Sequence, residues 1–87
     1  MRSVEFRPTA MAQFTEWLME DPKTARRIVR LINESVKTPF DGIAKPEPLK
    51  GNLRGKWSKR ITEEHRLVYS VTDDVLTVFS CKFHYEE

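Results

Sequence analysis

The stretch KPEPLKGN, residues 45–52, sets one carboxylate, Glu47, between Pro46 and Pro48 and follows it with Lys50. Each proline fixes its own φ and drives the residue before it towards extended backbone, so this glutamate stands on a stiff piece of chain. Further along lie Arg60, Arg66, Lys82 and His84, a set of cationic side chains that includes one imidazole able to titrate near neutral pH. A carboxylate, an imidazole and guanidinium groups together are what RNA cleavage needs when no metal takes part. A base removes the proton of a 2′-hydroxyl, which attacks the adjacent phosphate. An acid protonates the departing 5′-oxygen, and fixed cations stabilise the charge on the phosphoryl oxygens.

That chemistry depends on the chain bringing those residues together. Val4 and Phe6 alternate with Ser3 and Glu5, which predicts a short first strand over residues 3–6 that ends before Pro8. Ala10, Phe14, Trp17 and Leu18 recur at helical spacing and predict a first helix reaching Glu20. Asp21-Pro22 then stops it and caps a second, whose buried face is Ala25, Ile28, Val29, Ile32 and Val36. Lys23, Arg26, Arg27, Arg30 and Glu34 form its other face, a solvated surface. Residues 38–56 hold all three glycines and three of the five prolines, and they read as a long, stiff loop of the kind that carries function.

The last third reads as three strands, Trp57 to Ile61, Arg66 to Val71 and Val75 to Tyr85, separated by the acidic turns Thr62-Glu63-Glu64 and Thr72-Asp73-Asp74. Successive strand side chains point to opposite faces. The odd positions Trp57, Ile61, Leu67, Tyr69, Val71, Val75, Phe79, Phe83 and Tyr85 form an apolar set expected to bury against the two helices. Ser58, Arg60, Arg66, Ser70, Ser80, Lys82 and His84 then share the open face, provided that both turns contain an odd number of unpaired residues. The expected fold class is α+β, with the stiff loop folding back over the sheet to bring Glu47 and Lys50 to the cations. Each residue also has a plainer reading. Arg60 and Arg66 can form exposed cross-strand ion pairs with Glu63 or Glu64. Trp57 and Tyr69 read as core, Cys81 as a small core residue, and Tyr85 as a strand-end residue whose hydroxyl can reach solvent or substrate.

Composition sets the bounds. A chain of 87 residues that is 39% hydrophobic and 32% charged supports one domain, residues 1–87, with one modest core. The net charge is +2, but Lys45, Lys50, Arg54, Lys56, Lys59 and Arg60 cluster against Glu47 alone, which favours an anionic partner. A single cysteine with His65 and His84 offers no zinc spacing and no internal disulfide, so neither cofactor nor metal is expected. The start, MRSVEFRPTA, lacks the apolar centre of a signal peptide, and no apolar run approaches a membrane span, so a cytoplasmic location without membrane contact is expected.

The run TPFDGIAKPEPLKGNLRGKWSKRITEEHRLVYSVTDD, residues 38–74, with CKFHY at 81–85, resembles the YoeB branch of the RelE-like toxins of bacterial toxin–antitoxin systems. The resemblance covers residues 38–85 without a gap and implies a microbial-ribonuclease-like fold, an antiparallel sheet with two N-terminal helices packed on one face. It implies ribosome-dependent cleavage of messenger RNA in the decoding site. Glu47 matches the family's general base, His84 its general acid, and Arg66 the arginine that stabilises the transition-state phosphate; Lys50, Arg60 and Tyr85 match residues around the substrate, and Lys82 joins them from its place on the open face. The implied partners are a YefM-type antitoxin, a second copy in a homodimer, and operator DNA only through the antitoxin complex. Family members commonly stop at the His-Tyr pair, whereas Glu86 and Glu87 follow here and favour a protonated His84. Two other readings use the same scaffold. Toxins that grip a protein target such as DNA gyrase lack the Glu/Arg/His set present here, and a non-catalytic RNA-binding module would bind without cutting.

Overall fold

The computed structural model describes residues 1–42 and 44–83; Ile43 and residues 84–87 lie outside it, and with them the predicted roles of His84 and Tyr85. The chain runs β1 (Ser3–Phe6), α1 (Pro8–Glu20), α2 (Pro22–Lys37), β2 (Glu47–Pro48), a 3-10 turn (Gly51–Leu53), β3 (Trp57–Arg60), β4 (Arg66–Val71) and β5 (Val75–Ser80). Pro8 and Pro22 each open a helix, where a missing N–H costs nothing. Asp21 stands at the boundary between the two helices. Its carboxylate accepts the Thr24 hydroxyl at 2.7 Å, a bond that holds its acid below the usual carboxylate value.

The five strands form one sheet in the order β1-β5-β4-β3-β2. The pairs β3–β4 and β4–β5 are antiparallel, as the sequence suggests; β2, read from the sequence as loop, adds an antiparallel edge to β3, and β1 joins parallel to β5, which makes the sheet mixed. A parallel neighbour needs a long crossover, and everything from α1 to β4 lies between β1 and β5. Ala10 and Trp17 of α1 and Ala25, Ile28, Leu31, Ile32 and Val36 of α2 pack on Leu67, Tyr69, Leu76, Val78 and Cys81. Leu18 and Val29, expected inside, are 51% and 45% exposed, because each lies at the margin of its helix's apolar stripe.

The alternation predicted for β5 is corrected by its register. Arg60 faces Arg66, leaving the odd number of residues 61–65 between them, but Val71 faces Leu76, leaving the even number 72–75. Leu76 and Val78 therefore point into the core, and Val75 and Phe79 do not. A bulge then restores the parity, since Val68 faces Ser80 while Tyr69 faces Val78, so that Phe79 is the extra residue. After it Ser80 shares the open face and Cys81 is fully buried. The strand ends at Ser80 rather than continuing to Tyr85, and Phe83 is 56% exposed instead of core.

Burial pushes the Cys81 thiol up to about 12 and the Tyr69 hydroxyl likewise to about 12. The unfolded chain gives up these protons first, near 9.0 for the thiol and 10.0 for the phenol, so both groups lower stability as pH rises from there towards 12. At pH 8 a disulfide reagent should therefore label native Cys81 only as fast as the fold opens. Labelling at the rate of a free surface thiol would contradict this placement.

Candidate active site

Glu47 sits on the edge strand β2, directly opposite Ser58 of β3. Ser58 faces Val68, and Val68 faces Ser80, so one row crosses the side of the sheet away from the helices, from the exposed glutamate over the buried Ser58 and Val68 to the end of β5. At about 4.8 Å per strand the row spans roughly 14 Å. The loop does not fold over the sheet, as the sequence suggests; it runs along its edge. Prolines are tolerated there because an edge strand leaves N–H positions outside the ladder.

The stiffness has anchors on both sides of Glu47. Ala44 and Leu49 are buried, the Ala44 carbonyl accepts the Arg60 N–H at 2.9 Å, and the Leu49 N–H donates to the Lys56 carbonyl at 2.9 Å. Lys45, between the first anchor and the glutamate, takes a left-handed φ of 53°. The root of the loop is tied as firmly. Lys59, wholly buried on β3, donates to Glu34 of α2 at 3.1 Å and to the Thr38 carbonyl at 3.5 Å, and the Tyr69 hydroxyl donates to the Pro39 carbonyl. Gly42 beside them has a φ of 117°, which L side chains rarely adopt, and a Cβ there would push Glu34 Oε1, 2.2 Å away, off Lys59. Lys59 thus leaves the basic run that the sequence assigns to an anionic partner and serves structure.

Arg60 and Arg66 face each other across β3 and β4 on the open side, two like charges directly opposite. Such a pair is unfavourable alone and attracts an anion between or beside its members. Arg60 is exposed. Arg66 is half-buried, and its Nη1 donates to the carbonyls of Thr62, Glu63 and His65 at 3.0, 3.1 and 3.1 Å, which fixes the guanidinium plane against the turn. Neither arginine forms an ion pair with Glu63 or Glu64 among the described contacts. Lys56 lies on the same side with its ammonium 4.5 Å from the Phe79 ring centroid, and Lys50 is exposed just before the 3-10 turn.

Lys82 does not lie where the sequence places it. Beyond the end of β5 alternation no longer applies, and its ammonium turns to α1, 2.7 Å from Glu16 and 3.2 Å from Glu20. Its pKa is raised, chiefly by the hydrogen bond to Glu16. Sequence reasoning also passed over His65, whose Nδ1 accepts the Phe83 N–H at 2.7 Å and whose ring meets Trp17 edge-on at 4.8 Å. A histidine closing an acidic turn gives no sign that it reaches the backbone 18 residues later.

Two helices laid over a mixed five-stranded sheet are the architecture of the RelE-like toxins. Residues 6–85 match the family described as the YoeB-like toxin of bacterial type II toxin–antitoxin systems, and the chain belongs to that family. Toxin YoeB of Mycobacterium bovis is 56% identical over 85 residues, covering 98% of this chain and 100% of that one. Among solved structures, the YoeB/ParE toxin from Agrobacterium tumefaciens superposes with a TM-score of 0.91 at 40% identity, covering 98% of this chain and 100% of the other. One chain of the Staphylococcus aureus YoeB dimer superposes with a TM-score of 0.89 at 39% identity, over 97% of this chain and 98% of that one. In its YoeB–YefM complex the TM-score is 0.88 at 37% identity, over 98% and 99%. No described helix is long and apolar enough to cross a membrane.

Proposed function

We propose that this toxin is a ribosome-dependent endoribonuclease that cuts messenger RNA in the decoding site by attack of a 2′-hydroxyl on the neighbouring phosphate. The observation that carries the reading is the common side of the sheet occupied by Glu47, Ser58, Arg60 and Arg66. Glu47 acts as the base on the 2′-hydroxyl, and Arg66, held by the turn carbonyls, stabilises the phosphoryl charge. His84, one residue past the end of the described chain, protonates the 5′-oxygen. Lys50, Arg60 and Tyr85 surround the RNA. Lys82, engaged by two carboxylates, is left out of the substrate set.

No cofactor is needed, because the base, the acid and the electrostatic stabiliser are all side chains. A face this small has little surface with which to orient RNA by itself. A ribosome can present the 2′-hydroxyl already aligned, which removes much of the orientation cost. The working compartment is then the cytoplasm. A YefM-type antitoxin, as in the S. aureus complex, neutralises the toxin and brings it to operator DNA, and the S. aureus dimer supports self-association.

A primer-extension map after brief induction tests the reading. Cleavage should appear inside translated frames and vanish when ribosome loading is blocked. Equal cutting of free RNA by purified protein at low concentration would overturn the ribosome's role.

A further inference from the structure

The three residues that lead into His84 are held by side chains from distant parts of the fold. Where β5 ends, Cys81 loses its strand partners, and α1 replaces them: the Cys81 N–H donates to Gln13 Oε1 at 2.7 Å and its carbonyl accepts Trp17 Nε1–H at 2.8 Å. Gln13 and Trp17 are four residues apart, one above the other on the helix. Lys82 is bracketed by Glu16 and Glu20 of the same helix. The Phe83 N–H donates to His65 Nδ1 at 2.7 Å, and its carbonyl accepts the Arg66 N–H at 3.2 Å.

Phe83 has a φ of 62°, a left-handed conformation that is strained and carries a cost for a bulky residue. Its side chain is 56% exposed, so burial does not offset that cost. The hydrogen bonds to its two backbone groups are what hold the turn. We propose that His65 is a positioning residue for the proposed reaction: its Nδ1 lone pair fixes the Phe83 turn and so sets the direction in which the chain leaves towards His84 and Tyr85. Because Nδ1 accepts, the proton of the neutral ring is on Nε2. The ring is itself immobilised, edge-on to Trp17 at 4.8 Å and 5.4 Å from the Phe83 ring. Its backbone is locked by Thr62 Oγ1 on its N–H and by the N–H groups of Ile61 and Thr62 on its carbonyl.

This inference rests on the reading of His84 as the acid, but its own geometry can be measured without any RNA. His65→Phe keeps an aromatic ring and removes the acceptor; His65→Asn keeps an acceptor near the place of Nδ1. In the full chain, ¹⁵N spectra of the wild type should show a bare His65 Nδ1 and a protonated Nε2. Phe83 amide exchange should speed up about tenfold or more in His65→Phe and stay near wild type in His65→Asn. Messenger RNA cleavage should fall about 10²-fold in His65→Phe, the cost of a small misplacement of a catalytic group, and return in His65→Asn.

Unchanged Phe83 exchange in His65→Phe would overturn the proposed hold. Equal loss of cleavage in both variants, with the Phe83 amide still protected, would place His65 in the chemistry and also overturn the positioning role. If the wild type cuts no RNA, the endoribonuclease reading fails, and the exchange data still decide whether His65 sets the turn.

Discussion

Glu47→Gln lowers ribosome-dependent cleavage by about 10²–10⁴-fold, the range expected when a general base is replaced by an amide of the same shape. The side chain is exposed at the sheet edge, so the substitution should move stability by no more than about 0.5 kcal/mol. The loop keeps its path because its anchors are Ala44, Leu49 and the prolines, none of which the substitution touches. Arg66→Ala is a less clean probe. Its Nη1 closes the β3–β4 turn on three carbonyls, so its loss removes structure together with charge, and part of any fall in rate reports a loosened turn. Glu47 therefore separates chemistry from folding better than Arg66 does. Kinetics with unchanged melting would assign it the proton transfer; wild-type cleavage by Glu47→Gln would remove it from the mechanism.

Glu34→Ala should destabilise the fold by about 3–5 kcal/mol, because it strands a buried ammonium. Lys59 has no exposure, while Glu34 keeps 31% of its side chain in water. Without the carboxylate, the nearest described acceptor for Lys59 Nζ is the Thr38 carbonyl at 3.5 Å. For a chain of this size the loss corresponds to a melting temperature lower by more than about 12 °C. Lys59→Met has the opposite character, since methionine fills the buried space and Glu34 can turn outward to solvent. It should cost less than half as much. Thermal denaturation of the two variants checks the asymmetry, and equal losses would mean that the pair is not desolvated on the Lys59 side. The effect reaches the site, because Glu34, Lys59, Tyr69 and Gly42 together root the loop that carries Glu47.

The elements were largely visible in the sequence because their apolar periods are long and clean. Ala25, Ile28, Ile32 and Val36 mark α2 without help from the rest of the chain, and Trp57, Leu67 and Tyr69 mark the core side of β3 and β4. The misreading of β5 has a local cause. An even number of residues between Val71 and Leu76 reverses its parity, and the bulge at Phe79 reverses it again before Cys81, so no single alternation describes the strand. Lys82 was misplaced for the related reason that the strand ends two residues earlier.

In the candidate site, the prolines announced a stiff glutamate, and the arginine pair followed from alternation. That the loop would join the sheet as an edge strand was not legible, since two residues of β2 leave no periodic signal. Contacts between distant positions were equally hidden. Lys59 meets Glu34 across 25 residues, and His65 meets Phe83 across 18. Nothing in a local pattern links such positions; only the packing of α2 and the turn against the sheet brings them together.

In the proposed reaction, side chains alone drive attack of a 2′-hydroxyl on its own phosphate. Chemical analysis of the cut ends, made on ribosomes with the metal-binding capacity of the assay controlled by added chelator after complex assembly, tests it most directly. The upstream fragment should carry a 2′,3′-cyclic phosphate and the downstream one a 5′-hydroxyl, at a rate unaffected by the chelator. A 5′-phosphate on the downstream fragment, or loss of cleavage on chelation while the ribosome complexes stay intact, would contradict it.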